Sequence, residues 1–116
     1  MSDCEKTPKT EYDPINTWDD LEISSDLLRG IYGYGFENPS PIQSKAIAPM
    51  IDKRDVIAQA QSGTGKTGAF SVGSLAITDP TKKTTQVLIL SPTRELSQQT
   101  CNVINSLSSM YKKTPV

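Results

Sequence analysis

The chain has 116 residues, of which 35% are hydrophobic. That allows one domain of ordinary size around a single small core. No stretch nears the roughly 18 apolar residues of a membrane span, and the amino-terminal MSDCEKTPKT has neither the basic start nor the apolar run of a secretory signal. The absence of histidine and the separation of Cys4 from Cys101 exclude a histidine triad and the usual zinc sites, and two free thiols suit a reducing compartment, cytoplasmic or nuclear. The net charge of −1 is unevenly spread: residues 1–26 hold eight acids against two lysines, −6, and residues 27–116 hold ten bases against five acids, +5. A mildly basic body suits an anionic ligand, although an ordinary solvated surface has the same balance.

In chain order, residues 1–17 are polar, interrupted by Pro8 and Pro14, and read as a disordered acidic arm. A helix is expected from Ser24 or Ser25, with Leu27, Leu28, Ile31 and Tyr32 on its apolar face, punctuated by Gly33 and Gly35. A second begins at SPIQSKAIAPMI, where Ser40 suits the N-cap, Pro41 the first turn, and Ile42, Ala46, Ile47 and Met50 recur at helical spacing; Pro49 should end or kink it. Residues 55–60 read as a buried strand, residues 66–77 as a helix, and residues 86–90 as the strongest strand. A last helix carries Leu96, Val103, Leu107 and Met110 on one stripe. Strand, helix, strand, helix implies an α/β fold with a parallel sheet and crossover helices. Two parallel strands cannot form an independent sheet, so the expectation is the front portion of a larger domain.

Between the first strand and its helix stands AQSGTGKT, residues 60–67. The pattern G-x-x-x-x-G-K-[ST] describes a phosphate loop, here with Ala60 in place of the first glycine. Glycines at 63 and 65 allow close approach of backbone amides to an anion at the helix start. Lys66 would reach the β- and γ-phosphates, and the Thr67 hydroxyl would ligate Mg²⁺. Ala60, Gln61, Ser62, Gly63, Thr64, Gly65, Lys66 and Thr67 are therefore candidate nucleotide-binding residues, Lys66 and Thr67 the candidate catalytic pair. A methyl group at Ala60 is tolerable if its φ is negative. The loop specifies a nucleoside triphosphate and leaves base and reaction open.

Two further segments frame it. In GFENPSPIQ, Ser40 to Gln43 also fits the capping box S-x-x-[EQ], in which Gln43 reaches back to the Ser40 amide. In SPTRELSQQ, Thr93 suits a helix N-cap, with Arg94 solvated.

Together these segments resemble DEAD-box RNA helicases. Gly35, Phe36, Pro39, Ile42 and Gln43 match the family's adenine-recognition segment, the Q motif, with Trp18 at its isolated upstream aromatic position; residues 60–67 match motif I; Pro92, Thr93, Arg94, Glu95 and Leu96 match motif Ia. The similarity runs from about Trp18 to the last helix and is greatest to the eukaryotic initiation factor four-A group, including its relatives in exon-junction and ribosomal-RNA work. It implies a RecA-like P-loop fold, present here as its N-terminal portion over residues 18–116, with ATP and Mg²⁺ as cofactors. Single-stranded RNA would be held through its backbone, and protein partners would be of the initiation-factor type. Phe36 would be a platform for adenine and Gln43 would pair with its N6 and N7 edge, which a carboxamide can do because it both donates and accepts. Pro92, Thr93 and Arg94 would hold RNA phosphate.

The family's Asp-Glu-Ala-Asp strand, Ser-Ala-Thr motif and second RecA-like domain with arginine fingers do not occur in these 116 residues; Leu75 to Asp79 resembles the first only superficially and falls on the loop's own helix. Alone, the residues are expected to hold nucleotide weakly without efficient hydrolysis or unwinding. Two other readings use the same residues: a non-catalytic nucleotide- or partner-binding module, and a P-loop ATPase that does not act on nucleic acid.

Overall fold

The computed structural model describes residues 12–61, 63 and 65–111, in the order α1 (Ser25–Tyr34), α2 (Pro41–Ile51), α3 (Lys66–Ile77) and α4 (Arg94–Leu107), preceded by a 3₁₀ turn at Trp18–Asp20. Three of the four helices start as their sequences dictate. The Ser24 side chain accepts from the Leu27 amide, the Ser40 side chain from Gln43, and the Thr93 side chain from Leu96. The fourth, α3, starts on Gly65 in the left-handed region with no side-chain cap bond.

One core joins the elements. Trp18, Leu27, Ile31, Ile47, Val72 and Leu107 are fully buried, with Leu21, Ala69, Leu75 and Ile104 around them. α3 is central, packing most extensively on α2 and also against α4 and α1. Its small residues Gly68, Ala69, Ser71 and Gly73 are buried and admit neighbours closely. Gly30 of α1 does the same, since a Cβ there would drive into the backbone carbonyl of Leu107.

Several expected faces shift. Tyr32 is exposed and donates its hydroxyl to Asp19 at 2.9 Å, while Gly30 takes the buried place beside Leu27 and Ile31. On α4 the buried residues are Thr100, Ile104 and Leu107, and Leu96 and Met110 lie exposed. The inward stripe is therefore turned from Leu96 and Val103 towards Thr100 and Ile104, with Leu107 common to both. Pro49 lies inside α2, which continues to Ile51. The proposed acidic arm lies outside the described residues as far as residue 11. Its end is held against α2, however: the Ile15 amide donates to Ser44 O at 3.1 Å, and Ile15 packs on the core. The last residues of the proposed arm thus pack against the body.

The expected strands at 55–60 and 86–90 form no ladder among the described residues. Residues 55–60, expected to be buried, are mostly exposed, with Ile57, Ala58 and Gln59 in succession open to solvent, whereas residues 86–90 alternate in exposure. Val56, Val87 and Ile89 are partly covered, whereas Ile57, Leu88 and Leu90 are 101%, 78% and 85% exposed. Period-two burial without a ladder, as at residues 86–90, is what a strand sequence shows when it lacks neighbours to pair with. No described helix is long and apolar enough to cross a membrane.

Candidate nucleotide-binding site

The site is built where the end of α1, the start of α2 and the start of α3 meet. α1 closes on Gly35, whose φ of +105° suits glycine. The Gly35 amide donates to Tyr32 O at 3.1 Å and the Phe36 amide to Ile31 O at 3.3 Å, a Schellman closure that turns Phe36 back over the helix end. There its ring meets Trp18, with centroids 6.0 Å apart and planes at 29°, and Tyr34, at 4.8 Å and 59°.

Gln43 is 3% exposed and bonded at both ends of its carboxamide. Oε1 accepts from the Ser40 amide at 2.9 Å, completing the capping box, and Nε2 donates to the Gly65 carbonyl at 3.2 Å. The capping geometry therefore forms, and the same side chain also ties α2 to the phosphate loop. The second bond is not visible in a local pattern, because it spans 22 residues of chain.

The loop has the conformation its glycines permit. Gly63 and Gly65 have φ of +80° and +97°. A Cβ at Gly65 would lie 2.7 Å from Gln43 Nε2 and 2.8 Å from Ser40 Oγ, and one at Gly68 would lie 2.6 Å from Gln43 Nε2 and 3.1 Å from Phe36 Cζ. The Q-motif side chains thus rest on bare backbone at the start of α3. Gly68, a glycine inside the first turn of a helix, is the sequence feature that could have pointed to this contact. Among the described residues the only non-glycine with positive φ is Lys53, so Ala60 has the negative φ its methyl group requires. Lys66 Nζ donates to the Ala60 carbonyl at 2.6 Å, laying its ammonium across the loop. Ser62 and Thr64 lie outside the described residues; Gln61 is exposed and Thr67 half-buried at the helix start.

Positive-φ glycines, an ammonium over the loop, and a helix that begins with no side-chain cap fit a polyphosphate. No described cluster of three or more acidic, cysteine or histidine side chains could hold a metal ion. Pro92, Thr93 and Arg94 are all exposed at the start of α4. The Thr93 hydroxyl accepts from the Leu96 amide at 3.2 Å, which leaves its hydrogen available to donate. A cavity of about 650 Å³ lies away from the loop, between the end of α3, residues 80–91 and α4; no Q-motif or phosphate-loop residue lines it.

Residues 40–115 match the family described as DEAD/DEAH box helicase, and the chain belongs to that family. The ATP-dependent RNA helicase eIF4A of Chaetomium globosum is 57% identical over 97 residues, covering 83% of this chain and 24% of that protein. The structure of Saccharomyces cerevisiae Dbp5 bound to RNA and ADP BeF3 superposes with a TM-score of 0.80 at 39% identity, over 84% of this chain and 26% of that one. A DEAD box protein from Methanococcus jannaschii gives 0.77 at 32%, over 82% and 26%. The RecA-like fold class expected from the sequence is the fold of these structures. The chain spans about a quarter of the length of the curated relatives it matches.

Proposed function

We propose that this chain is the nucleotide-gripping N-terminal portion of an ATP-dependent RNA helicase, acting over residues 18–116 with residues 1–17 as an appended acidic segment. The observation that carries the reading is the joining of the Q-motif carboxamide to the phosphate loop through the bond from Gln43 to Gly65. A side chain placed to sense a base is thereby fixed to the backbone that would hold the phosphates.

The chemistry follows from unused bonding capacity. A carboxamide has two N–H donors and two oxygen lone pairs, and Gln43 has one of each engaged within the protein. The remaining lone pair would accept from adenine N6, and the remaining N–H would donate to N7. Guanine presents an acceptor where adenine presents the N6 donor, so the same pair disfavours it. Phe36 would supply the flat apolar surface. The amides of residues 61–67 would receive the triphosphate, and Lys66 would exchange the Ala60 carbonyl for phosphate oxygen. Thr67, with the phosphates, would hold Mg²⁺, which supplies charge neutralisation at the β- and γ-oxygens when bound.

At α4, the free hydrogen of Thr93 and the guanidinium of Arg94 would hold RNA phosphate, a contact that positions RNA without reading its sequence. Support for RNA comes from the relatives: eIF4A is named an ATP-dependent RNA helicase, and the Dbp5 structure holds RNA with ADP BeF3. Hydrolysis needs more positive charge at the γ-phosphate than Lys66 and loop amides provide. The 116 residues alone are therefore expected to bind nucleotide without turning it over. The test is ATPase activity of the full-length protein with and without single-stranded RNA. RNA should stimulate it and Lys66→Ala should abolish it; activity indifferent to RNA would remove the helicase reading.

A further inference from the structure

We infer that Tyr34 is a base-contacting residue of the nucleotide site, forming the outer edge of the aromatic surface that begins at Trp18. The inference rests on the reading above, in which Phe36 carries adenine. Three rings stand in contact in order of exposure. Trp18 is fully buried, Phe36 is partly buried, and Tyr34 is 42% exposed. Trp18 lies nearly parallel to Phe36, and Tyr34 meets it at 59° with centroids 4.8 Å apart. The far edge of Phe36 is packed at Gly68, within 3.3 Å of where a Cβ would stand and next to the Gln43 amide. Trp18 and the first turn of α3 thus occupy two sides of the Phe36 ring, and Tyr34 is the aromatic neighbour that solvent reaches.

A base stacked on Phe36 would have this exposed ring as its neighbour on the solvent side. Nothing in the core requires it, since α1 buries Leu27, Gly30 and Ile31 and leaves Tyr34 outside. The two rings belong to one turn. Tyr34 is the last residue of α1, and the left-handed Gly35 folds Phe36 back against it, so the pair is preset as a V-shaped aromatic wall. Stacking of a base on an aromatic side chain contributes enough that losing one ring is measurable as several-fold in affinity.

The test compares binding of ATP and of inorganic tripolyphosphate to full-length Tyr34→Ala, Tyr34→Phe and Phe36→Ala proteins. Tyr34→Ala should weaken ATP roughly five- to tenfold with tripolyphosphate unchanged, and Tyr34→Phe should restore most of the loss. Unchanged ATP affinity in Tyr34→Ala, or equal losses for both ligands, would overturn the assignment. Phe36→Ala separates the two levels. If it too leaves ATP unaffected, the base site itself is misplaced; if it weakens ATP while Tyr34→Ala does not, only Tyr34 is dismissed.

Discussion

Gln43 Nε2 donates to the carbonyl oxygen of Gly65, 3.2 Å away and 22 residues further along the chain. On the proposed reading, base recognition and phosphate binding would share this one buried carboxamide. Substituting Gln43→Glu keeps an oxygen for the Ser40 cap but sets a carboxylate against the Gly65 carbonyl. ATP affinity in the full-length protein should fall by about tenfold or more at pH 7.5, the scale of one lost buried hydrogen bond with an acceptor left unpaired. The defect should also shrink as pH is lowered. A buried acid has a raised pKa, and the protonated form donates to Gly65 as the amide did. Isothermal titration with ATP at two pH values tests this; full affinity in the variant at pH 7.5 would leave Gln43 as a cap alone.

Arg94 stands exposed in the first turn of α4, beside the Thr93 hydroxyl. If it contacts RNA phosphate, Arg94→Ala weakens RNA binding by a similar factor on every sequence. It also reduces the slope of log affinity against log salt by about one. Fluorescence anisotropy over a salt series measures both. A loss confined to particular sequences would contradict a backbone contact.

Gly30 faces the Leu107 carbonyl so closely that an added Cβ would overlap it. The obstacle is backbone, which cannot rotate aside, so Gly30→Ala must push α1 off α4. The expected cost is at the upper end of the about 1–3 kcal/mol typical of overpacking, read as a lower urea midpoint. A change below about 0.5 kcal/mol would show that α1 and α4 are less tightly joined than they look.

The helix starts were legible because capping is local: Ser24, Ser40 and Thr93 each act within three residues. The glycine conformations within residues 60–67 were legible for the same reason, Gly63 and Gly65 lying at the positive φ the motif requires. Contacts between segments were not. The bond from Gln43 to Gly65, the ring of Tyr34 on Phe36, and the seat of Gly30 on Leu107 join residues whose spacing follows no period. The inward stripe of α4 was misjudged at Leu96 because hydrophobicity alone does not reveal that Thr100 takes a buried place. The strands were legible as patterns, yet a ladder depends on neighbours rather than on the segment itself.

Asp20 accepts the Asn16 amide at 2.9 Å and the Thr17 amide at 3.1 Å, and these bonds hold its carboxyl below the usual carboxylate range. A depressed folded-state pKa contributes stability that is present above the unfolded value, near pH 4, and lost as pH falls through the folded one. Stability against urea should therefore decline below about pH 4, and Asp20→Asn should flatten part of that decline. Some slope should remain from Asp79, whose carboxyl is lowered by the Thr81 hydroxyl at 2.6 Å. An identical acid limb in the variant would contradict the assignment.

The central claim is that one site holds adenine at Gln43 and the phosphates at residues 60–67. The most direct measurement is a crystal structure of the full-length protein with Mg²⁺ and a non-hydrolysable ATP analogue. The account predicts the N6 and N7 edge of the base within hydrogen-bond distance of the Gln43 carboxamide, and Lys66 Nζ moved from the Ala60 carbonyl to phosphate oxygen. A purine bound elsewhere, or a triphosphate that leaves Lys66 on Ala60, would contradict it.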